Sequence, residues 1–165
     1  MKGFRGDTTI LTPSGNVRLN TLADNDWIYT LDPETLEVSI ARCTAPVIIG
    51  RSSMWRLQTQ NKLLLCVPET LFFTFDKGLV AAGDLIAGDR LSGLYLSTDD
   101  AQGKMTTVLG VKSPDPEYTG AITDAFFRAD EVITNSRVSN KAEDIWNIDV
   151  KGNNVLFIHN FAVAL

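Results

Sequence analysis

Histidine occurs once in this 165-residue chain and cysteine twice, and the basic residues form no cluster. A single imidazole, His159, is too few for a histidine-based metal site or for a relay that needs more than one. Cys43 and Cys66 sit in the apolar stretches IARCTAP and KLLLCVP. They read first as small buried hydrophobes, with a disulfide or a reactive thiol as the alternatives. The 15 lysines and arginines are scattered, and the net charge is -5. Nothing here has the basic footprint of a nucleic-acid binder. No apolar run approaches the ~20 residues needed to span a bilayer, and MKGFRGDTT has no hydrophobic signal core. Low-complexity segments and long linkers are missing too. These absences set the expectations: one domain over residues 1–165, no cofactor, no metal, no nucleic-acid or membrane partner, and no compartment assigned.

What is present is a rhythm of short apolar runs broken by turns roughly every 8–12 residues. TTIL is followed by TPSGN, WIYTL by DPET, and FFTF by DKG. Val, Ile, Leu, Thr and aromatics fill the runs, which predicts an all-β fold. DPET has the form of a type I turn with Pro33 at its second position. One helix candidate lies within 117–131, EYTGAITDAFFRADE, weakened by Gly120 and its threonines. Residues from about 95 to 142 read as an irregular elaboration on a β core.

The chain also repeats itself. Gly15, Val17, Leu22, Asp26 and Ile28 recur 63 residues later as Gly78, Val80, Leu85, Asp89 and Leu91. The shared frame is a Gly turn in a hairpin, a short strand ending in Leu, a turn carrying Asp, then a new strand. Glycine supplies positive φ in such a turn. Aspartate closes the next turn on nearby backbone N–H groups. Two related β-halves around a pseudo-twofold axis follow.

That frame resembles the Hint (hedgehog/intein) family. GDTTILTPSGNVRLNTLADNDWIYTLDPETLEV is similar to the family's opening block, and VPETLFFTFDKGLVAAGDLIAGDRL to its second. IWNIDVKGNNVLFIHNFAVAL is similar to its closing block. The three cover about half the chain, in order. The resemblance implies a pseudo-twofold Hint fold and, in working members, four chemical requirements. A Cys or Ser three residues before Gly-Asp-Thr attacks the preceding carbonyl. A Thr-x-x-His motif polarises that peptide and stabilises its oxyanion. A terminal His-Asn cyclises to release the C-terminal flank, and the residue after it accepts the acyl group in splicing.

This chain departs from the pattern at each position. The nucleophile falls on Gly3, the Thr and His of the second block on Val67 and Thr70, and the terminal pair on Ala164 and Leu165. None can do the family's chemistry, so these five are degenerate positions and no catalytic residue is assigned. A competing register makes His159-Asn160 the terminal pair, with Phe161 to Leu165 downstream; only slow C-terminal cleavage at Asn160 would then remain. The alternative for His159-Asn160 is a turn before the last strand, where Asn tolerates left-handed backbone. With only Met1 and Lys2 ahead of Gly3 and nothing after Leu165, the expectation is a frame kept for its shape.

Other constellations have plain readings. Asp99-Asp100 and Asp115 with Glu117 read as solvated loop carboxylates, Glu69 and Asp76 as surface charge, and Trp27, Trp55 and Trp146 as strand core. GDLIAG lacks the Lys-Ser/Thr of a phosphate loop. The expected function is a non-catalytic structural or interaction module that binds a protein partner or larger assembly. A phage virion component (decoration, cement or tail protein) is the concrete form, and self-association is left open. The alternatives are residual autoprocessing at Asn160 and a small β-barrel ligand binder or enzyme. Val67 and Leu165 are expected side by side in a closed former cleft. Recognition is expected in 95–142, through residues such as Leu96, Met105, Phe126 and Phe127.

Overall fold

The computed structural model describes residues 1–96, 107–109, 116–119, 125–137, 142–152 and 154–165. In the first half, β1 (Thr9–Thr12) and β2 (Gly15–Arg18) form a hairpin, and β3 (Trp27–Leu31) pairs with β4 (Val38–Arg42). A middle group holds β5 (Val47–Ser52), β6 (Trp55–Thr59) and β7 (Leu63–Cys66). The second half repeats the first with the hairpin β8 (Leu71–Thr74) and β9 (Gly78–Ala81), then β10 (Arg90–Leu96). There follow β11 (Thr107–Leu109), β12 (Ala125–Arg137), β13 (Glu143–Asn147), β14 (Val155–Ile158) and β15 (Phe161–Ala164).

The closing hairpin β14–β15 is the hinge of the symmetry. β1 pairs with β14, β8 pairs with β15, and each carries its own hairpin partner on the outside. The internal repeat extends to individual hydrogen bonds. Gly15 and Gly78 both take positive φ, 106° and 69°. A single 3-10 turn follows each hairpin, at Leu19–Thr21 and at Ala82–Asp84. Leu19 N–H donates to Thr8 O and Ala82 N–H to Thr70 O, both at 2.8 Å. Asp26 accepts the Ala23 N–H at 2.7 Å, and Asp89 accepts the Ile86 N–H at 3.0 Å. The turn chemistry expected of the two aspartates is present in both copies.

One apolar cluster around Phe4, Ile28, Phe72, Leu91 and Phe161 joins the two halves, and a second gathers Tyr29, Leu31, Ile40, Leu94 and Phe157. β7 and β8 alternate buried residues with outward ones, the period of a half-buried strand, whereas the central β14 and β15 are buried along their whole length.

The elaboration departs from expectation. Of the helix candidate within 117–131, residues 120–124 lie outside the described residues; the rest is a turn at Pro116–Glu117 and, from Ala125, the 13-residue strand β12. β12 meets β10 over seven consecutive pairs, Arg90–Glu131 to Leu96–Ala125, and then runs on to β6. A nonlocal ladder of that length overrides the local preference of Ala, Asp, Glu and Arg. The only helical turns among the described residues are the two 3-10 turns. Leu96 and Phe127 are buried in the second core cluster, so they serve the core and not an outward recognition surface. Asp99, Asp100, Asp115 and Met105 lie outside the described residues, as does the side chain of Phe126.

Candidate functional site

The N-terminal segment is threaded between two strands. Phe4 bridges to Trp146 of β13 on one side and to Cys66 of β7 on the other. Its N–H donates to Trp146 O at 3.1 Å, and Trp146 N–H donates to Phe4 O at 2.8 Å. This lodges Gly3 against the turn that leads into β8. Gly3 N–H donates to the Thr70 hydroxyl at 3.1 Å, and Val67 N–H donates to Gly3 O at 3.2 Å. The Thr70 hydroxyl in turn donates to Gly3 O at 3.3 Å. Three positions far apart in sequence, Gly3, Val67 and Thr70, therefore form one hydrogen-bonded centre, and all three are buried.

Thr70 holds the nitrogen of the Lys2–Gly3 peptide, the bond that the resemblance marks for attack. Its carbonyl oxygen is held as well, because Asn147 Nδ2 donates to Lys2 O at 2.8 Å. Sequence reasoning missed Asn147. The only hint was its place in the IWNIDV strand of the closing block, since its partner lies 145 residues away. The peptide is thus clamped at both ends, and Gly3 itself brings no side chain to attack it. A side chain at residue 3 would also lack room. A Cβ there would stand 2.5 Å from Trp146 O and 2.6 Å from Ile145 Cγ2, well inside van der Waals contact.

The chain's end approaches from β15. Ala164 pairs with Leu71, the residue after Thr70, and Ala164 is buried. Leu165 is half-buried; its N–H donates to Asn154 O at 3.2 Å. Val67 packs with Met54 and Ile145, whereas Leu165 packs against the main core cluster. Val67 and Leu165, expected side by side, are thus assigned to different apolar clusters.

His159 and Asn160 form the two-residue turn between β14 and β15, with φ of 47° and 71°. Positive φ at both positions is the hairpin geometry that matches strand twist. Asn160 is buried and fully engaged. Its Nδ2 donates to Leu94 O at 2.8 Å, its Oδ1 accepts Lys62 Nζ at 2.6 Å, and its carbonyl accepts Leu94 N–H at 2.7 Å. Cyclisation would bring that amide nitrogen onto the Asn160 carbonyl carbon, whereas here it donates to Leu94 O. Lys62 Nζ also donates to His159 O at 2.8 Å and lies over the Tyr95 and Phe161 rings. Burial pulls the Lys62 ammonium down to about 8. Burial, with Lys62 nearby, pulls the His159 imidazole down to about 4. Its Nδ1 lies 2.8 Å from the Thr9 hydroxyl.

The remaining candidates resolve simply. Cys43 and Cys66 are free and buried, and burial pushes their thiols up to about 11 and about 12. Asp76 pairs with Arg90 on an exposed hairpin, and Glu69 is exposed. Glu117 pairs with Arg42. Trp27, Trp55 and Trp146 all lie in strands; Trp55 donates to Asn135. Among the described residues no helix is long and apolar enough to cross a membrane.

No protein-family model matches the sequence, and no curated protein does. Solved structures match over almost the whole chain. A DnaB intein from Synechocystis is 14% identical at a TM-score of 0.69, covering 99% of this chain and 98% of that one. The DnaX mini intein from Spirulina platensis is 15% identical at 0.72, covering 99% of each. A bacterial intein-like domain from Clostridium thermocellum is 19% identical at 0.66, covering 99% and 98%. With its two matched halves closed on β14–β15, the chain has the Hint fold of the inteins.

Proposed function

We propose that the protein is a non-catalytic Hint-fold module that acts by its shape, as a structural or interaction component of a larger assembly. The observation that carries this reading is the packing at Gly3. The position of the family's nucleophile is filled by the Trp146 carbonyl and the Ile145 side chain, 2.5 and 2.6 Å from where a Cβ would stand. Val67 and Thr70 offer neither the family's Thr nor its His, and Ala164 and Leu165 cannot cyclise. A buried, hydrogen-bonded centre of this kind fixes the N-terminal segment onto β7, β8 and β13, which suits a rigid building block. A virion component (decoration, cement or tail protein) is the setting we propose, since such parts need shape and contact surface rather than turnover.

The test is intact mass after days with a thiol and at mildly acid pH. The expected result is an unchanged mass. Loss of the FAVAL fragment would establish cleavage after Asn160 and overturn the reading. For the virion setting, co-sedimentation of the chain with a candidate particle is expected. One observation favours ligand binding alongside the structural role: a cavity of about 540 Å³ beside Trp27.

A further inference from the structure

The two halves differ in the length of their hairpin turns, and the difference leaves a carboxylate facing a cavity. Thr12 and Thr74 are 62 residues apart, while Gly15 and Gly78 are 63 apart. Both threonines do the same work: Thr12 Oγ1 donates to Gly15 O at 2.8 Å, and Thr74 Oγ1 to Gly78 O at 2.9 Å. The second hairpin turn therefore holds one extra residue, Lys77. That lysine reaches back to Asp89, with Nζ 2.8 Å from Oδ1. Burial pushes the Asp89 carboxyl up, but the Ile86 N–H and Lys77 outweigh it and hold the group below its ordinary value. Arg90, paired with Asp76 and lying 5.9 Å from the Phe75 ring, completes this side.

In the first half Asp26 stands where Asp89 stands, and it accepts the Ala23 N–H as Asp89 accepts that of Ile86. No counterpart of Lys77 exists, because Ser14 directly precedes Gly15. No ammonium or guanidinium among the described residues pairs with Asp26. Trp27 replaces Arg90, and Pro13 replaces Phe75. The space between them is the cavity of about 540 Å³, walled by Thr12, Ser14, Asp26, Trp27 and Tyr118. That volume lies in the usual range for small-ligand pockets. Arg42 lies 4.6 Å from the Trp27 ring, but its guanidinium is paired with Glu117. Among the described residues, Asp26 is the one charged side chain lining the cavity.

We propose that this cavity binds an alkylammonium group, the side chain of a lysine presented by a protein partner. Its ammonium sits on Asp26 as Lys77 sits on Asp89, and its methylene stem runs along Trp27. The protein's own second half shows the geometry that such an occupant would adopt. Carboxylate and aromatic wall together suit a cation with an apolar stem. The proposal takes the partner from the interaction-module reading, but the pocket's chemistry stands without it.

The probe is Nα-acetyl-lysine methylamide, titrated into the 15N-labelled full chain, with the norleucine analogue as its uncharged match. The expected result is saturable shifts at Ala23, Asp26 and Trp27 with the lysine compound alone. Asp26→Asn keeps an oxygen for the Ala23 N–H and should weaken binding about tenfold, the loss of one charge-assisted bond. A lysine inserted between Ser14 and Gly15, together with Pro13→Phe, should fill the pocket from within and abolish the shifts. A lysine-bearing peptide binding more tightly than the free compound supports a protein source; equal binding points to a free amine and overturns that part. Equal shifts with the norleucine analogue, or unchanged affinity in Asp26→Asn, would overturn the site. An unchanged mass in the cleavage assay would leave the module reading standing in that case, so the two failures are distinguishable.

Discussion

Replacing Gly3 by alanine asks whether the glycine at this position is a simple substitution or a feature built into the packing. The new Cβ would stand 2.5 Å from Trp146 O and 2.6 Å from Ile145 Cγ2. Neither neighbour yields easily. The oxygen belongs to the backbone and accepts the Phe4 N–H, and Ile145 is fully buried. Overpacking a filled site costs roughly 1–3 kcal/mol. Displacing the Trp146 carbonyl weakens a hydrogen bond worth about 0.5–1.5 kcal/mol more. For a chain of this length each kcal/mol moves Tm by about 2–4 °C, so Gly3→Ala should melt roughly 3–18 °C lower. Gly3→Cys, which adds a sulfur, should lose at least as much. Urea and thermal unfolding measure the first; mass spectrometry with added thiol measures whether Gly3→Cys releases Met1-Lys2. A Gly3→Ala change within about 0.5 kcal/mol, the range of an ordinary surface substitution, would refute the steric argument. A stable Gly3→Cys protein that cleaves at residue 3 would refute the functional one.

Thr70→Val leaves the buried Gly3 N–H without a partner and should cost about 1–3 kcal/mol by urea unfolding; Thr70→Ser should recover most of it, and equal losses would place the cause in packing. His159 is held neutral to about 4, below its unfolded 6.5. The unfolded chain therefore binds more protons between those values, and stability falls as pH drops from 6.5 towards 4. His159→Asn, which suits the left-handed turn, should remove that dependence without loss at neutral pH; an undiminished acid slope would refute it. Lys62 is depressed from 10.5 to about 8, so its contribution to stability grows as pH rises through that window. Because Cys43 and Cys66 are raised and act the opposite way above pH 9, the comparison belongs between pH 8 and 9. There the native chain should gain on Lys62→Met, and parallel curves would refute the assignment.

Features with local causes were legible in the sequence. Gly15 and Gly78 announce their turns because positive φ favours glycine, and Asp26 and Asp89 bond to backbone only three residues away. Features with distant causes were hidden. β12 carries Ala, Arg, Asp and Glu at helix-like density, and its ladders with β10, β11 and β6 make it a strand. Asn147 gains its role from the Lys2 carbonyl. Lys62 looks like an ordinary turn residue in QNK until β14–β15 supplies its acceptors. Between these extremes stands the repeat itself. Counted from Gly15 onward the offset is a constant 63, which conceals that it is 62 before the turn. The conserved pair of threonine hydroxyls shows where the extra residue entered, and that residue is the lysine that neutralises Asp89. A one-residue difference in turn length therefore decides which of two equivalent carboxylates finds its cation among the described residues, and the other is the one we propose meets a partner's lysine.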